Sequence, residues 1–511
     1  MKQSIKQFII ASLFITSFSA CSKKLDLTPQ SSISDANYWR TADQFDAFVA
    51  GLHSRFRGHN SAFQTLGEMR ADIFGTEPGS ASTFTGEATQ GVERLWQQTL
   101  DLDNPGVSNF GGFYSNIVQL NLLISKLNTT NIVTADNKSY YLGIAHGMRA
   151  FYYFQLLRTW GNVVIQVDPV TSIDISNLAK AASPVEEVMA LVKDDIDKSI
   201  TAFGSNYSFR QSKGYWSKAA SQMLKAEVYL WTASKGGGNA DANTALSALT
   251  DIQTNIPALA LLTDYSSVFA AGNKGNNEII FASRYLLNEA GLFISGIYLP
   301  QTGLLVNFYD SVGNRPFNVT ADNWGGLLRA PVTVSTFRKF NDKDSRKWAS
   351  IQPAYNRPSP SVYTIAGAFV KKYQGEQNAG ARAYSNDYPI YRYADLLLLK
   401  AEAKVLLGQS PTAEINLVRA RAYGANYVEA TVGYPNQPGD ADAKEALLRE
   451  RLFEFVFEGK RWYDLRRMGD NYVFANTPIL PADAYKVLWP IDRSSLTNNR
   501  ALTQTKGYPT F

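Results

Sequence analysis

The chain has 511 residues, 45% hydrophobic and 13% aromatic, with a formal net charge of +5 at neutral pH. That length is more than one core usually holds, so several packed subregions are expected. The weak positive balance, with no Lys/Arg run, excludes nucleic acid as a partner. One cysteine excludes a disulfide framework. His53, His59 and His146 are the only histidines and no HExxH occurs, so no metal site is predicted. Walker A, Rossmann and GxSxG strings are missing as well, and no cofactor is expected.

The elements begin with a leader. Lys2 and Lys6 precede an uncharged apolar run from Phe8 to Ala20, too short to span a bilayer as a helix. Ser19 and Ala20 then lead into Cys21. This resembles a bacterial lipoprotein signal, in which residues 1–20 are removed and Cys21 is lipidated; Phe18 stands where that pattern prefers Leu. An ordinary secretory signal would instead leave Cys21 as an unpaired thiol. Residues 21–37 are polar, contain Pro29 and read as a lipidated tether. No later segment is apolar for long enough to cross a membrane, so the body, residues 38–511, is expected to be soluble but anchored.

Helical signals follow. Thr41 and Gln44 form a capping-box pattern, with Phe45, Phe48, Val49, Leu52 and Phe56 on one face. Asn109 to Leu127 and the aromatic-dense stretch Ser139 to Trp160, stopped by Gly161, are two more helices. Ser183-Pro184-Val185-Glu186 reads as N-cap Ser, N1 Pro and N3 Glu of a helix to Phe203. Ser217 caps the next, which ends near the breaker Gly236-Gly237-Gly238, and Asp241 to Gln253 is its partner. From 281 to 361 the helical period weakens among Gly, Pro and Asn, and loops with short strands are predicted. The C-terminal helices, within 393–469, are Ala394–Leu407, Ser410–Tyr423 and one long helix from Ala441 to Met468.

Two pairs, Ser183–Phe203 with Ser217–Lys235 and Ala394–Leu407 with Ser410–Tyr423, have the length and short turns of tetratricopeptide-like repeats. The fold class is therefore mainly α, with tetratricopeptide-like helix pairs and an irregular loop-rich lobe containing short strands, drawn mainly from 64–100 and 281–361. A generic α-bundle is the alternative.

The string ERLFEFVFEGKRWYDLRRMG, Glu450 to Gly469, reads first as structure. Its carboxylates Glu454, Glu458 and Asp464 lie within a turn of Arg461, Arg466 and Arg467, which would keep them ionised and paired in a partly buried network rather than free for catalysis. The string is similar to the C-terminal signature of SusD/RagB-family outer-membrane lipoproteins. LDLTPQ, NYWRTADQF, YYLGIAHGMRAFYYFQLLRTWGNVVI, SPVEEVMALVKDDIDKSI, WSKAASQMLKAEVYLW and KVLWPIDRSSLTNNRALTQTKGY extend the resemblance in order over nearly all of the mature chain. Ile144-Ala145-His146 and Val163-Val164 depart from the family pattern.

The resemblance implies a non-enzymatic lipoprotein facing the cell exterior. It would be paired with a SusC-type TonB-dependent outer-membrane barrel, to which it would deliver a captured glycan or, in RagB-type members, a peptide. A surface hydrolase is a third reading, and would need two exposed carboxylates facing one cleft.

A sugar-binding surface wants exposed aromatic faces beside amides, carboxylates or arginine, carried on loops. Two regions qualify. Gly67 to Trp96 holds Arg70, Asp72, Phe74, Glu77, Phe84 and Trp96; Phe293 to Trp324 holds Tyr298, Gln301, Asn307, Tyr309 and Trp324. By approximate position in the family, Asp72, Trp96, Tyr298 and Trp324 are the implied ligand residues. Each has a structural reading too: Trp96 as a core residue at a helix start, Asp72 as a cap or a partner of Arg70, Tyr298 as a packed residue in a strand-like stretch. Trp324, beside Gly325-Gly326, is the aromatic most expected to be exposed.

Overall fold

The computed structural model describes residues 38–107, 110–169 and 179–510. The leader, Cys21 and the tether lie outside the described residues. The chain divides into two units, Met1–Phe48 and Val49–Phe511. In the first, the expected capping box forms: the Thr41 N–H donates to Gln44 Oε1 at 3.0 Å and the Gln44 N–H to Thr41 Oγ1 at 3.4 Å. Trp39 closes on Phe45 and Phe48, with ring centroids 4.8 Å away in each case. This start opens α1, Ala42–Gly58.

The second unit is built on helices: α2 (Asn60–Glu68), α3 (Phe110–Thr129), α4 (Ala135–Trp160), α5 (Val185–Phe203), α6 (Lys218–Thr232) and α7 (Gly238–Asn255). Thr134 starts α4 earlier than predicted, its Oγ1 accepting the Asn137 N–H at 3.3 Å. From Tyr140 onward α4 is buried almost throughout. At its departure from the family pattern, His146 Nδ1 and Arg149 Nε both lie 2.7 Å from Asp195 oxygens.

Ser217 caps α6 as predicted, accepting from the Ala220 N–H. Ser183 does not cap α5. Its N–H pairs instead with the Val163 carbonyl at 2.9 Å, and Pro184 takes the N-cap position. The pairing differs from the prediction in one respect: α5 lies chiefly against α4 rather than against α6, while α6 lies chiefly against α7 as predicted.

The loop-rich part contains more regular structure than expected. Strands β1 (Ile279–Ser283), β2 (Tyr309–Asp310), β3 (Arg315–Pro316), β4 (Ile351–Ser359), β5 (Val362–Val370), β6 (Glu376–Asn378), β7 (Ala381–Ala383) and β8 (Tyr388–Arg392) are interleaved with short helical turns. One sheet has the order β3-β2-β4-β5, β1 pairs with β8, and β6 pairs with β7. The β4–β5 hairpin runs well past the boundary at 361 expected from sequence.

Beyond β8 come α8 (Tyr393–Leu406) and α9 (Thr412–Tyr423), and then α10 (Ala443–Phe455) and α11 (Arg461–Met468). The predicted single helix from 441 to 468 is broken. The Glu68 carboxyl group accepts the Phe457 N–H at 2.7 Å and the Gly459 N–H at 3.3 Å. Phe457 and Gly459 adopt φ of 69° and 70°, outside the helical region. A Cβ on Gly67 would lie 1.7 Å from the Gly459 carbonyl oxygen, so α2 can seat this turn only with glycine there. The break is imposed by a helix far away in sequence.

Around α10 the interior is ionic. Arg346 spans Asp344, Glu450 and Glu454, and Arg392 spans Glu278, Glu454 and Glu458, at N···O distances of 2.6 to 3.1 Å. Glu450 and Glu454, four residues apart and mutually repulsive, are thus clamped by one guanidinium. Arg419 extends the network to Asp440, and Lys372 and Arg421 add further cations on Glu458 and Glu278. Among the described residues, no helix is long and apolar enough to cross a membrane and no His/Cys/Asp/Glu group is arranged to hold a metal.

Candidate functional site

The two loop regions singled out in the sequence meet. The Thr333 N–H donates to the Ile73 carbonyl at 2.9 Å and the Gly75 N–H to the Pro331 carbonyl at 3.1 Å. Phe74 packs on Tyr298 at 5.3 Å, and Phe84 on Phe308 at 5.5 Å. Glu87 is buried and ties the loops together, accepting the Gln301 N–H at 3.0 Å and the Leu328 N–H at 2.5 Å.

This lobe carries an open groove of about 530 Å³ lined by residues 295–296, 301–303 and 325–327. Main-chain bonds hold its walls: the Leu327 N–H to the Ser295 carbonyl at 2.8 Å and the Gly326 N–H to the Pro300 carbonyl at 3.2 Å. Gly326 is required for this approach, since a Cβ there would lie 2.3 Å from the Leu299 carbonyl oxygen. Thr302 reaches Asn323 Oδ1 at 3.3 Å. The lining offers an exposed amide (Gln301), hydroxyls and glycine backbone, and none of its side chains is titratable.

The four residues implied by family position support this lobe and do not line the groove. Trp324, expected to be exposed, is only 6% exposed. The Arg382 guanidinium covers its ring at 4.7 Å, Phe369 packs at 5.4 Å, and its indole N–H has no acceptor among the described residues. Tyr298 lies in a helical turn, Ser295–Tyr298, rather than a strand-like stretch. Its hydroxyl bonds Gln64, and burial raises its pKa well above the usual phenol range. Trp96 ends the helical turn Glu93–Trp96 and is buried.

Asp72 does not pair with Arg70. Its oxygens meet Arg461 Nε at 2.8 Å and Lys339 Nζ at 2.6 Å. Burial opposes ionisation of Asp72, but these two cations outweigh it and hold the carboxyl well below the usual range. Arg70 lies instead between Trp462 and Trp489, 4.6 and 5.0 Å from the rings, and donates to Gln98 Oε1 at 2.7 Å. Of the aromatic and polar candidates in the second region, Gln301 does reach the groove. Thr302, Ser295 and Arg382 were not marked by any local pattern.

A second cavity, about 430 Å³, is lined among others by His53, Arg57, Tyr215, Arg284 and Glu289. Its charges answer one another: Arg57 meets Glu289 at 2.8 Å. His53 uses both ring nitrogens, with Nδ1 2.8 Å from the Val49 carbonyl and Nε2 accepting the Trp216 N–H at 3.0 Å. Burial lowers its pKa to about 4. This cavity offers a ligand fewer unclaimed groups than the groove does.

Comparison with known proteins agrees with the sequence resemblance. Residues 337–508 match the SusD family model, and residues 25–230 match a model described as starch-binding associating with outer membrane. NanU of B. fragilis superposes with a TM-score of 0.88 at 45% identity, over 94% of this chain and 100% of that one. The chain belongs to the SusD family. A SusD superfamily protein from Bacteroides vulgatus superposes with a TM-score of 0.85 at 40% identity, over 92% of this chain and 100% of that chain. SusD-like protein P38 of Formosa agariphila is 28% identical over 540 residues, covering 99% of both chains.

In this SusD-family chain the signature string Glu450–Gly469 serves the interior. Glu454, Glu458 and Asp464 are each at most 4% exposed. Burial opposes their charge, yet Arg421, Arg392 and Arg346 hold Glu454 well below the usual carboxylate range, and Arg451 and Arg467 also lower the pKa of Asp464. Carboxylates that are paired and sealed from solvent have no route to a substrate. The network is completely rather than partly buried, and its other half comes from Glu278, Arg346, Lys372 and Arg392, far from the string in sequence.

Proposed function

We propose that this chain is an outer-membrane lipoprotein, anchored through Cys21 and facing the cell exterior, that captures an oligosaccharide or polysaccharide and passes it to a SusC-type TonB-dependent barrel. The observation that carries the reading is the groove at 295–303 and 325–327. Amide, hydroxyl and backbone groups on an open surface suit sugar hydroxyls, and a lining without titratable side chains speaks for capture over catalysis. The match of residues 25–230 to a starch-binding family model, and 28% identity over 158 residues to the starch-binding protein SusD of Bacteroides thetaiotaomicron, support the same ligand class.

On this reading Asp72, Trp96, Tyr298 and Trp324 hold the groove's loops in place from beneath, and Gln301 and Thr302 meet the ligand. The chain supplies position and selectivity; the energy for uptake comes through the barrel. The test is a glycan array probed with the full chain in detergent, followed by calorimetry on the hits. Oligosaccharide hits that weaken in Gln301→Ala are expected. An array without hits, beside binding to a peptide library, would replace the glycan with a peptide. Cys21→Ala is expected to release the protein from membranes with its glycan affinity intact.

A further inference from the structure

The β4–β5 hairpin carries a feature that neither the groove nor the ionic interior uses. Residues 356–364, its distal half, are all exposed. The register sets Tyr309 opposite Tyr355, Tyr355 opposite Ile365 and Asn356 opposite Thr364. Side chains alternate along a strand, so this register puts Tyr309, Tyr355, Arg357 and Tyr363 on one face of the sheet. Their contacts agree. The Tyr363 ring lies 5.5 Å from Tyr309 and 6.3 Å from Tyr355, tilted by 54° and 89°. The Arg357 guanidinium lies 4.4 Å over Tyr309 and 5.3 Å from Tyr363.

The cluster is held in place before any ligand arrives. The Tyr309 hydroxyl donates to Asn314 Oδ1 at 2.8 Å, and Arg357 Nη2 donates to the Pro360 carbonyl at 3.1 Å, latching a turn that Pro358 and Pro360 stiffen. That is the one hydrogen bond of the Arg357 side chain among the described residues, where it has no carboxylate partner; its remaining N–H groups are unclaimed. Tyr363 is 39% exposed, high for a ring that has two aromatic neighbours.

We propose that this face is a second carbohydrate-binding surface, a ledge on which Tyr363 and Tyr355 stack against the C–H faces of sugar rings while Arg357 donates to their hydroxyls. Mutually tilted rings beside a planar donor with unclaimed N–H groups alternate apolar and donor character, which fits a glycan chain better than a flat apolar protein contact. The proposal rests on the glycan reading above and adds a second contact point to it. A ligand long enough to touch both ledge and groove would gain avidity that a short one lacks.

The experiment probes an array of neutral and acidic oligosaccharides of one to eight units with the full chain in detergent, wild type beside Tyr363→Ala, Arg357→Ala and Gln301→Ala. In Tyr363→Ala and Arg357→Ala, the hits of four or more units are expected to weaken about three- to tenfold while mono- and disaccharide hits hold. Arg357→Lys, which keeps the charge but loses the planar fork, is expected to fall between. Wild-type hits that are unchanged at every length in both ledge variants overturn the ledge and leave the groove reading intact. An array without wild-type hits overturns the glycan reading itself, and the ledge with it. Unfolding curves that superpose on wild type show that a weakened hit reports lost contact and not lost fold, as expected for side chains on an exposed half-hairpin.

Discussion

The ionic interior around α10 and the loop lobe with its groove use the same residue types to opposite ends. In the interior, Arg392, Arg346, Glu454 and Glu458 are fully buried, and each charge is answered by several opposite charges. At the hairpin face, Arg357 is exposed and lacks an acid partner among the described residues. The groove lining is neutral. The difference teaches where charge is structural in this molecule. Where water is excluded, an ion must be paired, and pairing fixes the register of the elements that carry it. Where water remains, polar groups stay available to a ligand.

The sharpest way to break the comparison is to remove one member of the interior network. Arg392→Met leaves Glu278, Glu454 and Glu458 with one fewer cation and is expected to cost about 3–5 kcal/mol in denaturant unfolding. A loss under about 1 kcal/mol would mean that the network is far less coupled than its geometry implies.

Glu68 comes next, because it is buried beside the same turn without a cation in contact. Burial pushes its pKa up to about 8, only partly offset by the N–H groups of Phe457 and Gly459. A carboxyl that is neutral in the folded state and ionised in the unfolded one makes the unfolded state relatively more favourable as pH rises. Glu68 therefore takes stability away between about pH 4.5 and 8. Glu68→Gln is expected to flatten that part of the stability–pH curve, by roughly a few kcal/mol across the window. Parallel curves for wild type and variant would place Glu68 in its ordinary ionised state.

Asp72 tests whether a residue marked by family position acts as support or as ligand contact. Asp72→Asn weakens the link from α11, through Arg461, to the loop lobe. It is expected to lower stability by about 2 kcal/mol while changing glycan affinity less than Gln301→Ala does. The reverse ranking would return Asp72 to the site. Gln301→Ala itself is expected to reduce affinity about three- to tenfold with no shift in thermal midpoint, measured by calorimetry beside a melting curve. The smallest effect belongs to an exposed pair on α5, Lys198 and Asp194, 2.6 Å apart and each about half exposed. Lys198→Ala is expected to change stability by no more than about 0.5 kcal/mol, and less in high salt.

Much of the scaffold was legible because its signals are local. The Thr41–Gln44 box, the Ser217 cap and the stop at Gly161 need only neighbouring residues, and each stands where the spacing predicted. The site was less legible. Trp324 beside two glycines reads as an exposed loop aromatic, but Arg382 and Phe369, distant in sequence, cover it. Asp72 reads as a partner of Arg70, yet Arg461 claims it from the far end of the chain. Gln301 was legible as a polar loop residue; the ledge at Tyr363 and Arg357 was not, because only the strand register brings those side chains to Tyr309.

By itself the sequence determined the leader pattern, the helical periods, the caps and the ordered strings that mark the SusD family. All of these are encoded within a few turns of chain. Only the tertiary structure decided that residues 441–468 break at Phe457, that α5 packs chiefly on α4, and which aromatic residues meet water. Those outcomes depend on partners hundreds of residues away: Glu68 claims two backbone N–H groups, Gly67 admits a close approach, and Arg392 is shared among three carboxylates. Burial and charge pairing are properties of the assembled interior, and no local pattern records them.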